Sequence, residues 1–474
     1  MDQEEPLMTL TQKLTTRLEK MTEAKDMTTG KILPIIMSFA IPIMIGNLFQ
    51  QLYSMVDTDV VGRGVGAQAL AAVGVTSPVT QLLLGLMIGM TSGMSVVIAQ
   101  HFGSGNEKKT RQAIASGIVL ITIISIFVTL AGLLLCRGLF TLINTPADIM
   151  EDAVLYASIT FAGTAAAAAY NYEAGVLRAF GNSIIPLLFL ALTSLLNVGL
   201  DLLYVLSFGW GVGGAAIATL LSQLISAILC LIYMIKKVPL ASLSREDWKW
   251  NSSVALQHMK TGIPMAFFSS LLAISFLVLQ AALNFLGSAD VAAYTAGSKM
   301  DTLVYQIMGA FGTAISTFAA QNYGKGLIER VEEGVRKSLK ITIAISLCLT
   351  VIVFLFGRSF MALFIDPSQT EIMANAIRYI RITSVFYIIL GVNFIVRFAL
   401  TRVGKTIIPM AVGISEILTR ALVTWLLVYR IGFMGMTLAS PSCWLTSTLM
   451  CVICYRPMMK SSAAALAARL ELAR

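Results

Sequence analysis

The stretch Ala99-Gln100-His101-Phe102-Gly103-Ser104-Gly105 returns in the second half of the chain as Ala320-Gln321-Asn322-Tyr323-Gly324-Lys325-Gly326. The spacing is kept around it. Leu70-Ala71-Ala72 precedes the first copy and Val291-Ala292-Ala293 the second, at the same offset. Arg178-Ala179-Phe180-Gly181 before Ile184-Ile185-Pro186 is echoed by Thr401-Arg402-Val403-Gly404 before Ile407-Ile408-Pro409, and Ala40-Ile41-Pro42 by Gly262-Ile263-Pro264. A repeat of this length implies two similar units. What lies between its landmarks says what they are made of.

Between them run long apolar segments. Of 474 residues 57% are hydrophobic and only 12% charged, and the mean hydropathy is +0.81. A soluble chain of this length could not cover its surface with so few charges. Many runs exceed the roughly 18 residues that mark a membrane span, and none alternates apolar with polar as a barrel strand would. Twelve helical spans are predicted: 33–61, 70–100, 113–135, 152–177, 184–206, 213–235, 262–286, 291–321, 338–356, 372–400, 407–428 and 432–454. Six spans return the chain to its starting side, so the repeat is parallel. The expected division is a polar tail over 1–30, a six-helix bundle over 31–235, a linker over 236–261, a second bundle over 262–456 and a tail over 457–474.

The loops orient these spans. Most of the 34 basic residues fall in alternate loops and the two tails, among them Lys13, Lys31, Lys108, Lys109, Arg178, Lys236, Lys260, Lys325, Arg336, Arg402 and Arg456. The opposite loops hold Arg63, Arg137, Arg358 and Arg430. The positive-inside rule places both termini in the cytoplasm. The same pattern accounts for the net charge of +9 without a nucleic-acid partner. The polar, charged stretch Met1–Gly30 does not resemble a cleavable signal peptide. Two histidines, His101 and His258, do not suffice for a multi-histidine metal site, and Cys451 and Cys454 form a CxxC with no second ligand pair nearby. No nucleotide-binding motif is visible, which favours ion coupling over ATP. Internal repeats meeting across a cleft point to a secondary transporter.

Ionisable residues inside a span are costly and mark function. Asp57 and Asp201 stand out in the first half, with Asn197 one helical turn before Asp201. Counting along the spans puts Tyr156 and Thr219 at their level, so four spans bring oxygen-bearing side chains to one height. Such a cluster suits a proton or a sodium ion; the alternative is a structural hydrogen-bond network. Asp59, four residues before Arg63, reads as a helical ion pair near the interface. The second half lacks the cluster. Leu279 falls near the counterpart of Asp57, and Arg420 and Thr424 stand in place of Asn197 and Asp201. Its intramembrane charges are Lys299, Asp301, Glu416 and Arg420, with Glu416 and Arg420 spaced as partners on one helix. Asp301 either attracts a cationic substrate or neutralises Lys299 or Arg420. Met300 and Met308 suit a flexible apolar pocket or the core equally. Pro42 and Pro264 are candidate hinges inside spans one and seven.

Val56-Asp57-Thr58 with Val61-Gly62-Arg63, Leu177-Arg178-Ala179-Phe180-Gly181-Asn182, Asn197 to Asp201, Gly211-Val212-Gly213-Gly214-Ala215-Ala216 with Ala218-Thr219, and Ala439-Ser440-Pro441 with Trp444 together resemble the multidrug and toxic compound extrusion (MATE) family of cation-coupled antiporters. The resemblance covers about Lys31 to Arg456. It implies an all-α membrane protein with two six-helix bundles in a V and no enzymatic activity. It also implies export of small organic cations or amphipathic compounds against inward H+ or Na+, without a cofactor, by rocking between two states. Asp57, Tyr156, Asn197, Asp201 and Thr219 then carry over as the coupling site, and Pro42 as the bending proline. The bilayer is the expected environment, as a multi-pass monomer in a prokaryotic plasma (inner) membrane. One branch of the family carries acids in spans seven and ten. Here span seven has Leu272 and span ten none beyond its first turn, which argues against a second-half sodium site. A flippase for lipid-linked saccharides is the alternative on the related distant fold; a basic cleft would favour it. An intramembrane enzyme would need a His, Ser or Cys constellation at one depth, and none is visible.

Overall fold

The computed structural model describes residues 26–143, 145–283, 285–402 and 407–472. The tail residues Lys13, Arg17, Lys20 and Lys25, the loop residue Lys405 and Arg474 fall outside them, as do the side chains of Met55, Asp59, Arg63 and Arg402, so the expected Asp59–Arg63 pair is not described. The first unit comprises α1 (Ile32–Gly64), α2 (Ala67–Gly103), α3 (Glu107–Leu142), α4 (Met150–Ala162), α5 (Thr164–Ala179), α6 (Ile184–Asp201) and α7 (Gly211–Lys237). The second comprises α8 (Ser252–Leu283), α9 (Ser288–Gly324), α10 (Ile328–Met361), α11 (Thr370–Val385), α12 (Tyr387–Arg402), α13 (Ile407–Val423), the short α14 (Tyr429–Ile431) and α15 (Phe433–Leu472). Described residues form no strand.

Among the described residues ten helices are long and apolar enough to cross a bilayer, and the number reaches twelve if each of two bent pairs is one span. The bent pairs are α4–α5, at 40°, and α11–α12, at 47°. Both are the fourth span of their unit. In the first, Gly163 joins the two helices, and a Cβ there would press against Leu220; in the second the joint is Phe386. Pro42 and Pro264, by contrast, lie inside unbroken helices. The repeat shows again in the fifth spans. α6 passes at Asp201 into a π-helical turn, Leu202–Ser207, and α13 passes at Val423 into another, Thr424–Val428. Such turns leave a local irregularity in the hydrogen-bond ladder and recur at functional positions.

The connection between the units is shorter than the expected linker. α7 runs on to Lys237, a 3-10 turn covers Pro239–Ala241, and α8 starts at Ser252, well before Gly262. The early start has a cause: buried His258 faces the Ala113 carbonyl of α3 through Nε2 at 2.9 Å, which docks the first turns of α8 on the first bundle. Asp247 closes the turn before it, accepting from the Ser244 N–H at 2.8 Å and hydroxyl at 2.7 Å.

The bundles are joined along α2 and α8. A Cβ on Gly93 would lie 2.5 Å from the Cα of Gly262, so the two backbones touch with only hydrogens between them. This is the small-residue contact by which helices associate without a hydrophobic driving force. The quoted repeat has the same use at the end of the bundles next to the strap before α1. Gly103 lies against the Gln321 backbone and Gly324 against that of Gln100, a reciprocal crossing of α2 and α9. The strap before α1 seals it: the Met27 N–H donates to Gln321 Oε1 at 2.9 Å, Gln321 Nε2 to the Ala179 carbonyl at 2.7 Å, and Arg330 to the Thr29 and Gly30 carbonyls at 2.9 and 2.8 Å. At mid-depth Asn47 of α1 donates to the Gln306 carbonyl of α9 at 3.3 Å.

Candidate functional site: an acid pair in the first bundle

α1 supplies Asp57, and α6 supplies Asn197 and Asp201, one turn apart on a single face. Asp201 is wholly buried and Asn197 nearly so. The two carboxyls lie within hydrogen-bonding reach of each other, with Tyr156 of α4 and Tyr53 of α1 beside them. Asn197 Nδ2 points to Thr219 Oγ1 of α7 at 3.5 Å, at the limit of a hydrogen bond. The site is walled by Val60, Val61, Val205, Val212 and Ala215, against which Tyr156 packs. All five residues singled out from sequence are thus brought together by four different spans.

Four oxygens here are buried without a donor: Asp57 Oδ1, Asn197 Oδ1 and both carboxylate oxygens of Asp201. All are acceptors. Buried polar atoms are nearly always partnered, and two ionised carboxylates in contact repel each other. One bound proton or a small cation relieves both problems. The π-turn directly after Asp201 makes its surroundings the least regular part of the helix. A further acid escaped the sequence reading: Glu173 of α5, buried, with Oε2 unpartnered. A lone acid inside a predicted span was the available signal, and its neighbour Arg178 in a basic loop masked it.

The second bundle treats its charges differently. Asp301 is buried on α9, where Tyr379 donates to Oδ2 at 2.6 Å and Tyr387 to Oδ1 at 2.8 Å. Met300 and Met308 belong to the same core, with Val304, Tyr379, Tyr387 and Trp444. The expected Glu416–Arg420 pair is corrected: Glu416 meets Arg397 of α12 instead, at 3.4 Å. Arg397 is packed between aromatic rings, 4.4 Å from the centroid of Phe268 and 4.9 Å from that of Phe394, which fixes its guanidinium towards Glu416. Arg420 turns to Phe276, 4.7 Å from the ring centroid. Leu279, at the counterpart of Asp57, is buried core.

The profile of the MatE family matches residues 42–203 and 264–426, one match in each bundle. The chain is 31% identical to the probable multidrug resistance protein YpnP of Bacillus subtilis, over 79% of this chain and 83% of that one. It is 25% identical to a FAD transporter of Shewanella oneidensis, over 89% of this chain and 93% of that one. Among solved structures, the outward-facing conformation of a multidrug resistance MATE family transporter of the MOP superfamily superposes with a TM-score of 0.86 at 23% identity, covering 94% of this chain and 99% of the other. Its twelve-helix fold is the one described above. The doubled match, falling on the two halves of the repeat, makes this chain a member of the MatE family: a multi-span membrane transporter and not an enzyme.

Proposed function

We propose that the protein is a secondary antiporter that exports cationic or amphipathic organic compounds in exchange for inward H+ or Na+, with Asp57, Tyr156, Asn197, Asp201 and Thr219 as the coupling site. The observation that carries this reading is the acceptor-only cluster at Asp57 and Asp201. An ion drives a conformational cycle only by binding one state better than the other. A site of four unpartnered acceptors on two helices, α1 and α6, changes its binding energy whenever those helices shift against each other. Asp57 and Thr219 hold the two sides of the site from α1 and α7, and α1 also contacts the second bundle through Asn47. Loading the site therefore bears on a helix that touches both units. Pro42 and Pro264 supply the points at which α1 and α8 can flex, each lacking one backbone hydrogen bond. The names of the relatives, a probable multidrug resistance protein and a FAD transporter, support small organic solutes as the cargo.

In this reading the protein works as a monomer in a prokaryotic inner membrane with both termini in the cytoplasm. The test is efflux of a fluorescent organic cation from proteoliposomes, with a pH gradient and a Na+ gradient imposed separately. Efflux accelerated by one gradient alone identifies the ion. Efflux indifferent to both sinks the antiport reading.

A further inference from the structure

The charges inside the second bundle cancel. Asp301 and Glu416 balance Arg397 and Arg420. Outside these pairs stand Arg378 and Arg381, exposed on α11, and Lys299 of α9. Among the described residues Lys299 has no ion-pair partner, and it is only part-buried. It stands eleven residues from the outer start of α9, roughly 16 Å along a helix of roughly 55 Å, which overhangs a hydrocarbon core of about 30 Å, so the ammonium lies near the outer edge of the core. It does not neutralise Asp301, whose two oxygens are taken by Tyr379 and Tyr387 on another face of the helix.

Lys299 lines a cavity of about 620 Å3 with Gly287, Val291, Ala292, Thr295, Ala296 and Phe364. That volume lies within the roughly 300–1,000 Å3 of small-molecule sites, and its walls are apolar with one charge, the pattern that orients an amphipathic ligand. Lys299 is seven residues, two turns, outward of Gln306, whose backbone carbonyl accepts from Asn47 of α1. Asp57 lies ten residues outward of Asn47 on α1. At 1.5 Å per residue the two charged positions are displaced outward from that contact by roughly 10 and 15 Å. The ammonium and the acid pair thus stand at similar depths on facing helices of the two bundles.

We infer that the cavity beside Lys299 is a subsite for the anionic group of an amphipathic solute, a carboxylate or phosphate attached to an apolar body. The apolar body fills the space along Val291 and Ala296, and the anion meets the ammonium. The inference adds to the amphipathic cargo of the transport reading compounds that carry such a group, alone or beside a cation. It rests on that reading for the origin of the solute, but not for its measurement.

The test is equilibrium titration of the full-length protein in phosphatidylcholine nanodiscs, without any gradient, using dansylglycine and its neutral amide and following the dansyl fluorescence. The wild type should bind the carboxylate about tenfold more tightly than the amide, the order of one charge-assisted contact. K299Q should remove that preference while leaving the amide affinity unchanged, and K299R should keep it. A292W, which narrows the cavity without altering charge, should weaken both ligands. Adding phosphatidylglycerol separates the sources of the anion. Unchanged dansylglycine binding assigns the subsite to solutes, and displacement assigns it to an anionic headgroup; either keeps the anion subsite. Equal affinity for acid and amide in the wild type, an intact preference in K299Q, or indifference to A292W would overturn the inference. If it failed while gradient-driven efflux persisted, only the subsite would fall.

Discussion

The two bundles are built on one repeat, yet they handle buried charge in opposite ways. In the second, both oxygens of Asp301 have tyrosine donors, and Glu416 has Arg397. In the first, Asp201 is buried too, yet has no donor at all. The same α6/α13 framework, with the same π-turn, carries Asn197 and Asp201 in one copy and Arg420 and Thr424 in the other. The difference teaches that the fold does not require an unsatisfied acid at this place. We propose that it keeps one where an ion is to bind, since a site that must release its ligand cannot be saturated by its own side chains.

That comparison can be broken by stability measurements in detergent. Arg397→Ala should give the largest loss, about 3–5 kcal/mol, because it removes the ion-pair partner of buried Glu416 and leaves it only the weaker pull of Arg420. Tyr387→Phe should cost about 1–3 kcal/mol, since it leaves one Asp301 oxygen without its donor. Asp201→Asn should not lower the melting temperature and should raise it if anything, because it removes an unpartnered charge from the first bundle. A melting temperature lowered as far by Asp201→Asn as by Arg397→Ala would erase the contrast. The smallest effect belongs to Arg137→Ala. Its partner Glu151 lies 2.8 Å away, but both side chains are largely exposed, and such pairs contribute about 0–1 kcal/mol.

Much of this was legible in the sequence. The repeat revealed two parallel units, but that its Gly103 and Gly324 mark a helix crossing emerges only from the backbone contacts. Span counting put Asp57, Tyr156, Asn197, Asp201 and Thr219 at one level, because rise per residue is fixed in a helix and depth follows from loop positions. What periodicity could not supply was the rotation of each helix. Spacing on one helix suggested Glu416 with Arg420, whereas the partner of Glu416 comes from α12 and is chosen by the rings of Phe268 and Phe394. Asp301 could be placed in depth but not in azimuth, so its tyrosine donors stayed hidden. The same holds for Met300 and Met308, which turn into the core while Lys299 lines the cavity. The breaks at Gly163 and Phe386 were also missed, since each pair of half-helices reads as one apolar run.

The central claim is that ion coupling belongs to the first bundle alone. The direct measurement is gradient-driven efflux from proteoliposomes carrying the wild type, Asp201→Asn, Asn197→Ala or Glu416→Gln, with substrate binding measured on the same preparations. The account expects Asp201→Asn to bind substrate yet fail to move it against a concentration difference, so that internal and external levels only equalise. Asn197→Ala should weaken coupling less, because it removes one acceptor and no charge, and Glu416→Gln should lower expression or stability while the protein that remains couples normally. Transport by Asp201→Asn at the wild-type rate, with unchanged dependence on pH and Na+, would contradict the account.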